Sequence, residues 1–139
     1  MKKQLLLLLV LLSILVMPTV LANPIEVPFS TIEQYKETVG QSILIDVRST
    51  YSRGDSKKGI QGAIWIDPHS GDALENFEQK EDKAKSYIVF CSCKDDGYSI
   101  RAAQILLKNG FQHVSVLKGG WDAILKDGVK TITLDQEAK

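Results

Sequence analysis

The stretch Tyr87-Ile88-Val89-Phe90-Cys91-Ser92-Cys93-Lys94-Asp95-Asp96-Gly97-Tyr98-Ser99 passes from four consecutive apolar residues, through two cysteines, into a polar acidic loop. An apolar run this short suits a strand buried on both faces of a parallel sheet. Ser99 is expected to cap a helix running through Asn109. Ile100, Ala103, Ile105, Leu106 and Leu107 supply its apolar positions, and Gly110 stands at its end.

Outward from this centre the pattern repeats. Ile43-Leu44-Ile45-Asp46-Val47, Ala63-Ile64-Trp65-Ile66 and Val114-Ser115-Val116-Leu117 read as further buried strands. Ser30, with Glu33 three residues on, predicts a capping box for a helix with Ile32, Tyr35 and Val39 on one face, closed by Gly40. Arg48 to Gly59 reads as a loop or frayed helix. Asp72 to Lys85 is expected to hold a short helix that packs through Leu74 and Phe77. Gly119-Gly120 makes a turn before a helix over Trp121 to Lys126, and Thr131 to Leu134 adds an edge strand. Short apolar strands alternating with helices define an α/β domain around a mainly parallel sheet flanked by helices. In such sheets the chemistry lies at the carboxyl ends of the strands. That rule gathers Asp46-Val47-Arg48, the loop from Cys91, and Gly119-Gly120-Trp121.

The 139 residues suffice for one domain. Lys2 and Lys3, the apolar run Leu5 to Leu12 and the small Ala22 read as a secretory signal peptide over residues 1–22, with the domain over residues 23–139. The apolar run is shorter than the roughly 20 residues that span a bilayer, so the membrane is a partner only through the leader if it stays uncleaved. A periplasmic or secreted location follows. The leader holds two of the 17 basic residues and none of the 17 acidic ones, so the remaining chain carries 15 bases against 17 acids, a net charge of −2. No basic surplus or Lys/Arg run is present to bind nucleic acid. Two cysteines in an exported chain ordinarily suggest a disulfide. A bridge between residues two apart is strained and staples little, so chemistry explains the pair better than structure does.

Four segments together resemble the rhodanese family, over about Ser30 to Leu125. Leu44-Ile45-Asp46-Val47-Arg48 is similar to its strand ending in Asp-Val-Arg. Gly59-Ile60-Gln61-Gly62-Ala63-Ile64 is similar to its Gly-His-Ile-Pro-Gly-Ala segment, without the His and with Gln for Pro. Ile88-Val89-Phe90, the cysteine loop, Ser99 and Ala102-Ala103 resemble its active-site strand, loop and helix. Gly110-Phe111, Val114 and Leu117-Lys118-Gly119-Gly120-Trp121 resemble its closing segment. The resemblance implies a rhodanese-like single domain and a sulfurtransferase or sulfur carrier. A cysteine would take up a sulfane sulfur as a persulfide and pass it to a small thiol or to a partner protein's cysteine. It implies no cofactor and no metal.

Attack requires a thiolate, and backbone N–H groups at a helix start favour one. Cys93 and Cys91 are the candidate catalytic residues. Counting six residues from Cys93 to Ser99 gives the family loop without gaps and favours Cys93. Counting from the apolar strand selects Cys91 instead. The other cysteine would then be a resolving thiol or a small buried strand residue. The candidate donor- and oxyanion-binding loop is Lys94, Asp95, Asp96, Gly97, Tyr98 and Ser99. Its two carboxylates would raise a thiol pKa and repel a dianion such as thiosulfate, unless both simply face water. Asp46, Arg48, Arg101 and Trp121 are expected to support the site: the first two paired with each other or with the backbone, Arg101 against the loop acids or else as a solvated helix residue, and Trp121 as a pocket wall or core residue. His69 follows the Ala63–Ile66 strand, either as a proton donor at the site rim or, as is usual for a lone surface histidine, uninvolved.

Two other functional classes fit the same residues. A thiol–disulfide redox protein would use the Cys91/Cys93 pair. A non-catalytic binding module would use the fold for contacts, or hold a soft ion such as Cu(I) on two thiolates. Phosphate chemistry lacks its arginine, because none occurs in the loop before Arg101.

Overall fold

The computed structural model describes residues 23–136. The expected leader over residues 1–22 lies outside the described residues. Five strands form one parallel sheet: β1 (Phe29–Ser30), β2 (Ser42–Asp46), β4 (Ile64–Trp65), β5 (Ser86–Phe90) and β6 (His113–Leu117), in the order β1-β6-β5-β2-β4. Helices α1 (Ile32–Glu37), α2 (Thr50–Ser56), α3 (Ala73–Lys80), α4 (Gly97–Lys108) and α5 (Gly120–Lys126) connect and cover them. The α/β architecture read from the sequence is therefore the observed one. Two-residue strands β3 (Lys58–Gly59) and β7 (Ile132–Thr133) form a separate antiparallel pair.

The central strands are apolar in succession because both faces of the sheet are covered. Along β5 the pleat sends Tyr87 and Val89 to one face and Ile88 and Phe90 to the other. The first face packs with Ala103, Leu106 and Phe111 under α4, and the second with Leu117, Trp121 and Ile124 under α5. Cys91 continues the alternation, so its side chain joins the α4 face. Each such fully buried apolar side chain stabilises the fold by about 1.5–3 kcal/mol.

Several local expectations require correction. Thr31, not Ser30, caps α1, and its box partner is Gln34 rather than Glu33. Ser30 instead belongs to β1, an edge strand absent from the sequence reading, and its hydroxyl meets that of Ser115 at 2.7 Å. The Arg48–Gly59 stretch contains a formed helix, α2, capped by Ser49. Strand β4 is an edge of the sheet, with Trp65 39% exposed, rather than a buried strand. Strand β7 pairs with β3 and does not extend the main sheet. Ser99 does not cap α4: that helix starts at Gly97, after Asp96 in the left-handed region (φ 55°).

Candidate functional site

Three strand ends converge as the sheet topology requires. β2 delivers Asp46, β5 delivers Cys91, and β6 leads through Lys118 into Gly119-Gly120. The Cys91 carbonyl accepts the Trp121 backbone N–H at 2.8 Å, which ties the cysteine loop to the start of α5. Gly120 (φ +47°) lies so close to this carbonyl that any Cβ would overlap its oxygen.

The two cysteines differ in access. Cys91 is 1% exposed, whereas Cys93 is only half-buried. Both thiols are free, with their sulfurs 2.6 Å apart. The Cys93 N–H also points to the Cys91 sulfur at 3.3 Å. Burial, followed by the hydrogen bond with Cys91, pushes the Cys93 thiol up to about 11. The backbone N–H of Tyr98, at the start of α4, acts in the opposite direction by favouring the thiolate. The Cys91 charge and then Asp95 add smaller upward pushes.

The loop carboxylates have separate roles. Asp95 is exposed, and its Oδ1 accepts the Gly97 N–H at 3.2 Å. Asp96 does not face water: it is 7% exposed, and its Oδ2 accepts the Gly119 N–H at 3.1 Å. It therefore joins the cysteine loop to the glycine turn. Its Oδ1, and the hydroxyl of the fully buried Ser99, have no partner among the described residues. Lys94, Gly97 and Tyr98 are exposed.

Asp46 and Arg48 pair with each other, both at most 2% exposed. The Arg48 Nη2 reaches Asp46 Oδ2 at 2.6 Å, and its Nε reaches both carboxylate oxygens. The guanidinium stacks 3.7 Å from the Trp121 ring centroid, and Trp121 in turn stacks on Phe90. Trp121 is thus both core residue and platform for the arginine. Arg53, which the sequence did not single out, also donates to Asp46, at 3.3 Å. Arg101 forms no ion pair with Asp95 or Asp96. It is exposed and lines, with Tyr98, Asp67 and Leu74, a cleft of about 330 Å³ beside the loop. His69 stands edge-on to Tyr98 with ring centroids 5.6 Å apart. Arg53 is the contributor missed by sequence reasoning. The glycine pair was read as a turn near the site, and its close approach to the Cys91 carbonyl is added by the structure. Among the described residues no group of three or more His, Cys, Asp or Glu is placed to hold a metal ion, and no helix is long and apolar enough to cross a membrane.

A parallel α/β domain with a cysteine set between a strand end and a helix start defines a class of cysteine-loop domains. The chain belongs to the rhodanese-like domain family, whose model matches residues 31–127. It is similar to the rhodanese-like domain of the Alr3790 protein from Anabaena sp., at 27% identity and a TM-score of 0.56, covering 78% of this chain and 99% of that one. A full-length protein from Lactobacillus plantarum shares the fold at 19% identity and a TM-score of 0.61, covering 96% and 98%. Thiosulfate sulfurtransferase from Pseudomonas aeruginosa shares it at 16% identity and a TM-score of 0.61, over 80% of this chain and 20% of that one. No curated protein gave a significant match. The fold is of the sulfurtransferase type.

Proposed function

We propose that this protein is an exported sulfurtransferase or sulfur carrier with Cys93 as its nucleophile. The observation that carries the reading is the position of Cys93: it is only half-buried, with the Tyr98 N–H at the start of α4 favouring its thiolate, while Cys91 is sealed in the core. The Cys93 thiolate attacks the outer sulfur of a donor, the donor's remaining fragment leaves with the bond's electron pair, and a persulfide remains. A small thiol or a partner protein's cysteine then removes the outer sulfur. The Tyr98 backbone N–H at the helix start supports negative charge on either form.

Export through the leader-like residues 1–22 belongs to this proposal. N-terminal sequencing of the protein from its native host tests it, with Asn23 as the expected first residue. Intact-mass measurement after exposure to a sulfane-sulfur donor tests the chemistry. In Cys91→Ala, a single adduct of about +32 Da that is lost when Cys93→Ser is added supports it. An adduct that persists in Cys93→Ser and disappears in Cys91→Ser would move the role to Cys91.

A further inference from the structure

We propose that Cys91 reduces the Cys93 persulfide from within, so that the protein also converts sulfane sulfur to hydrogen sulfide. This step rests on the sulfur-transfer reading and deepens it. The Cys91 thiolate attacks the inner sulfur of the persulfide. A bond forms between the Cys91 and Cys93 sulfurs, and the bond to the outer sulfur breaks. That sulfur takes the electron pair, together with the proton given up by Cys91, and leaves as hydrogen sulfide. The sulfane sulfur is reduced by two electrons and the two cysteine sulfurs are together oxidised by two. An external dithiol, small or protein-borne, restores the pair.

Three observations meet at this step. The sulfurs already stand 2.6 Å apart, so the attacking atom lies against the atom it must attack. The Cys93 N–H is aimed at the Cys91 sulfur from 3.3 Å and supports negative charge on the nucleophile. Burial at 1% exposure closes Cys91 to outside donors and acceptors, leaving Cys93 as the sulfur within its reach. The bond from Trp121 N–H to the Cys91 carbonyl holds that geometry. An intramolecular nucleophile in place competes strongly with any thiol arriving from solution. A disulfide between residues two apart closes a small, strained ring that a dithiol readily reopens, and escape of hydrogen sulfide draws the forward step.

The test uses the reduced protein, free of oxygen and added thiol, with one equivalent of toluenethiosulfonate. Its sulfinate leaves cleanly when the outer sulfur is transferred. The expected result is sulfide stoichiometric with protein and a product about 2 Da lighter than the dithiol. In Cys91→Ala, sulfide release should fall at least tenfold while an adduct of about +32 Da accumulates. A wild-type protein that keeps the adduct and releases no sulfide overturns the resolving step but leaves the sulfur-transfer reading standing. Equal sulfide from Cys91→Ala also overturns it. No adduct and no sulfide from either protein overturns both. The wild-type measurement stands alone should the variant misfold.

Discussion

The backbone N–H of Trp121 donates to the Cys91 carbonyl at 2.8 Å, and the preceding residue, Gly120, passes that carbonyl with no room for a side chain. Backbone meets backbone here, so neither partner can turn aside as a flexible side chain would. The contact makes the α5 start part of the cysteine loop's scaffold.

Gly120→Ala should therefore act on stability and site together. A left-handed φ at a non-glycine residue and the overlap with the carbonyl each cost about 1–3 kcal/mol. The expected outcome is a loss of about 2 kcal/mol or more in urea unfolding, with faster labelling of Cys91 by a neutral alkylating agent. Unchanged stability would show that the loop and α5 separate freely.

The Asp46–Arg48 pair should behave as a unit. Arg48→Met takes the paired guanidinium from a carboxylate that is 2% exposed, leaving the residue 48 backbone N–H and Arg53 donating to it, and should cost about 3 kcal/mol. Adding Asp46→Asn removes the stranded charge, so the double variant should be more stable than Arg48→Met. Urea unfolding of both single variants and the double variant gives the coupling. Additive losses would show that the ion pair contributes nothing beyond the two side chains' packing.

The raised Cys93 pKa has a defined pH signature. With the thiol pushed up to about 11, its alkylation by iodoacetamide should rise about tenfold per pH unit from pH 7 to 10. A plateau below pH 9 would contradict this. Because the folded pKa is raised, the folded state holds the proton more tightly than the unfolded chain. The associated stability is complete below the ordinary thiol pKa and is lost as pH rises toward about 11. Cys91→Ala removes the hydrogen bond that contributes to the shift, so it should lower the Cys93 pKa and speed its alkylation at fixed pH.

The strands and helices were legible because apolar runs and glycine punctuation follow from burial and backbone sterics. Burial of Ile45, Val89 and Phe90 needs no knowledge of partners. What stayed hidden depended on tertiary placement. Ser30 and Thr31 are equally good caps on paper, and only pairing of Ser30 with β6 decides for Thr31. Asp96 looks like its neighbour Asp95, yet its left-handed backbone turns the carboxylate inward to Gly119. Arg48 reads as the first residue of a polar loop, although the Trp121 platform and Asp46 make it one of the most buried side chains. The cysteine pair was visible, but their unequal access was not.

The two loop carboxylates accordingly predict different variants. Asp96→Asn tests architecture, because it disturbs the bond to Gly119, so it confounds any test of loop charge. Asp95 is exposed, and its charge adds to the upward push on the Cys93 thiol, behind burial and the Cys91 contacts. A single charge near a surface is worth on the order of 1 kcal/mol or less, and salt screens it. Asp95→Asn should therefore raise the rate with thiosulfate, a dianion, by a few-fold at low salt, and by much less at high salt. Toluenethiosulfonate carries one charge and should gain less than thiosulfate under the same conditions. Loading kinetics with both donors, at low and high ionic strength, separate the effect on the donor from the effect on the thiol. A gain equal for both donors would mean that Asp95 acts through the thiol pKa alone. An unchanged thiosulfate rate at low salt would mean that loop charge does not set donor choice.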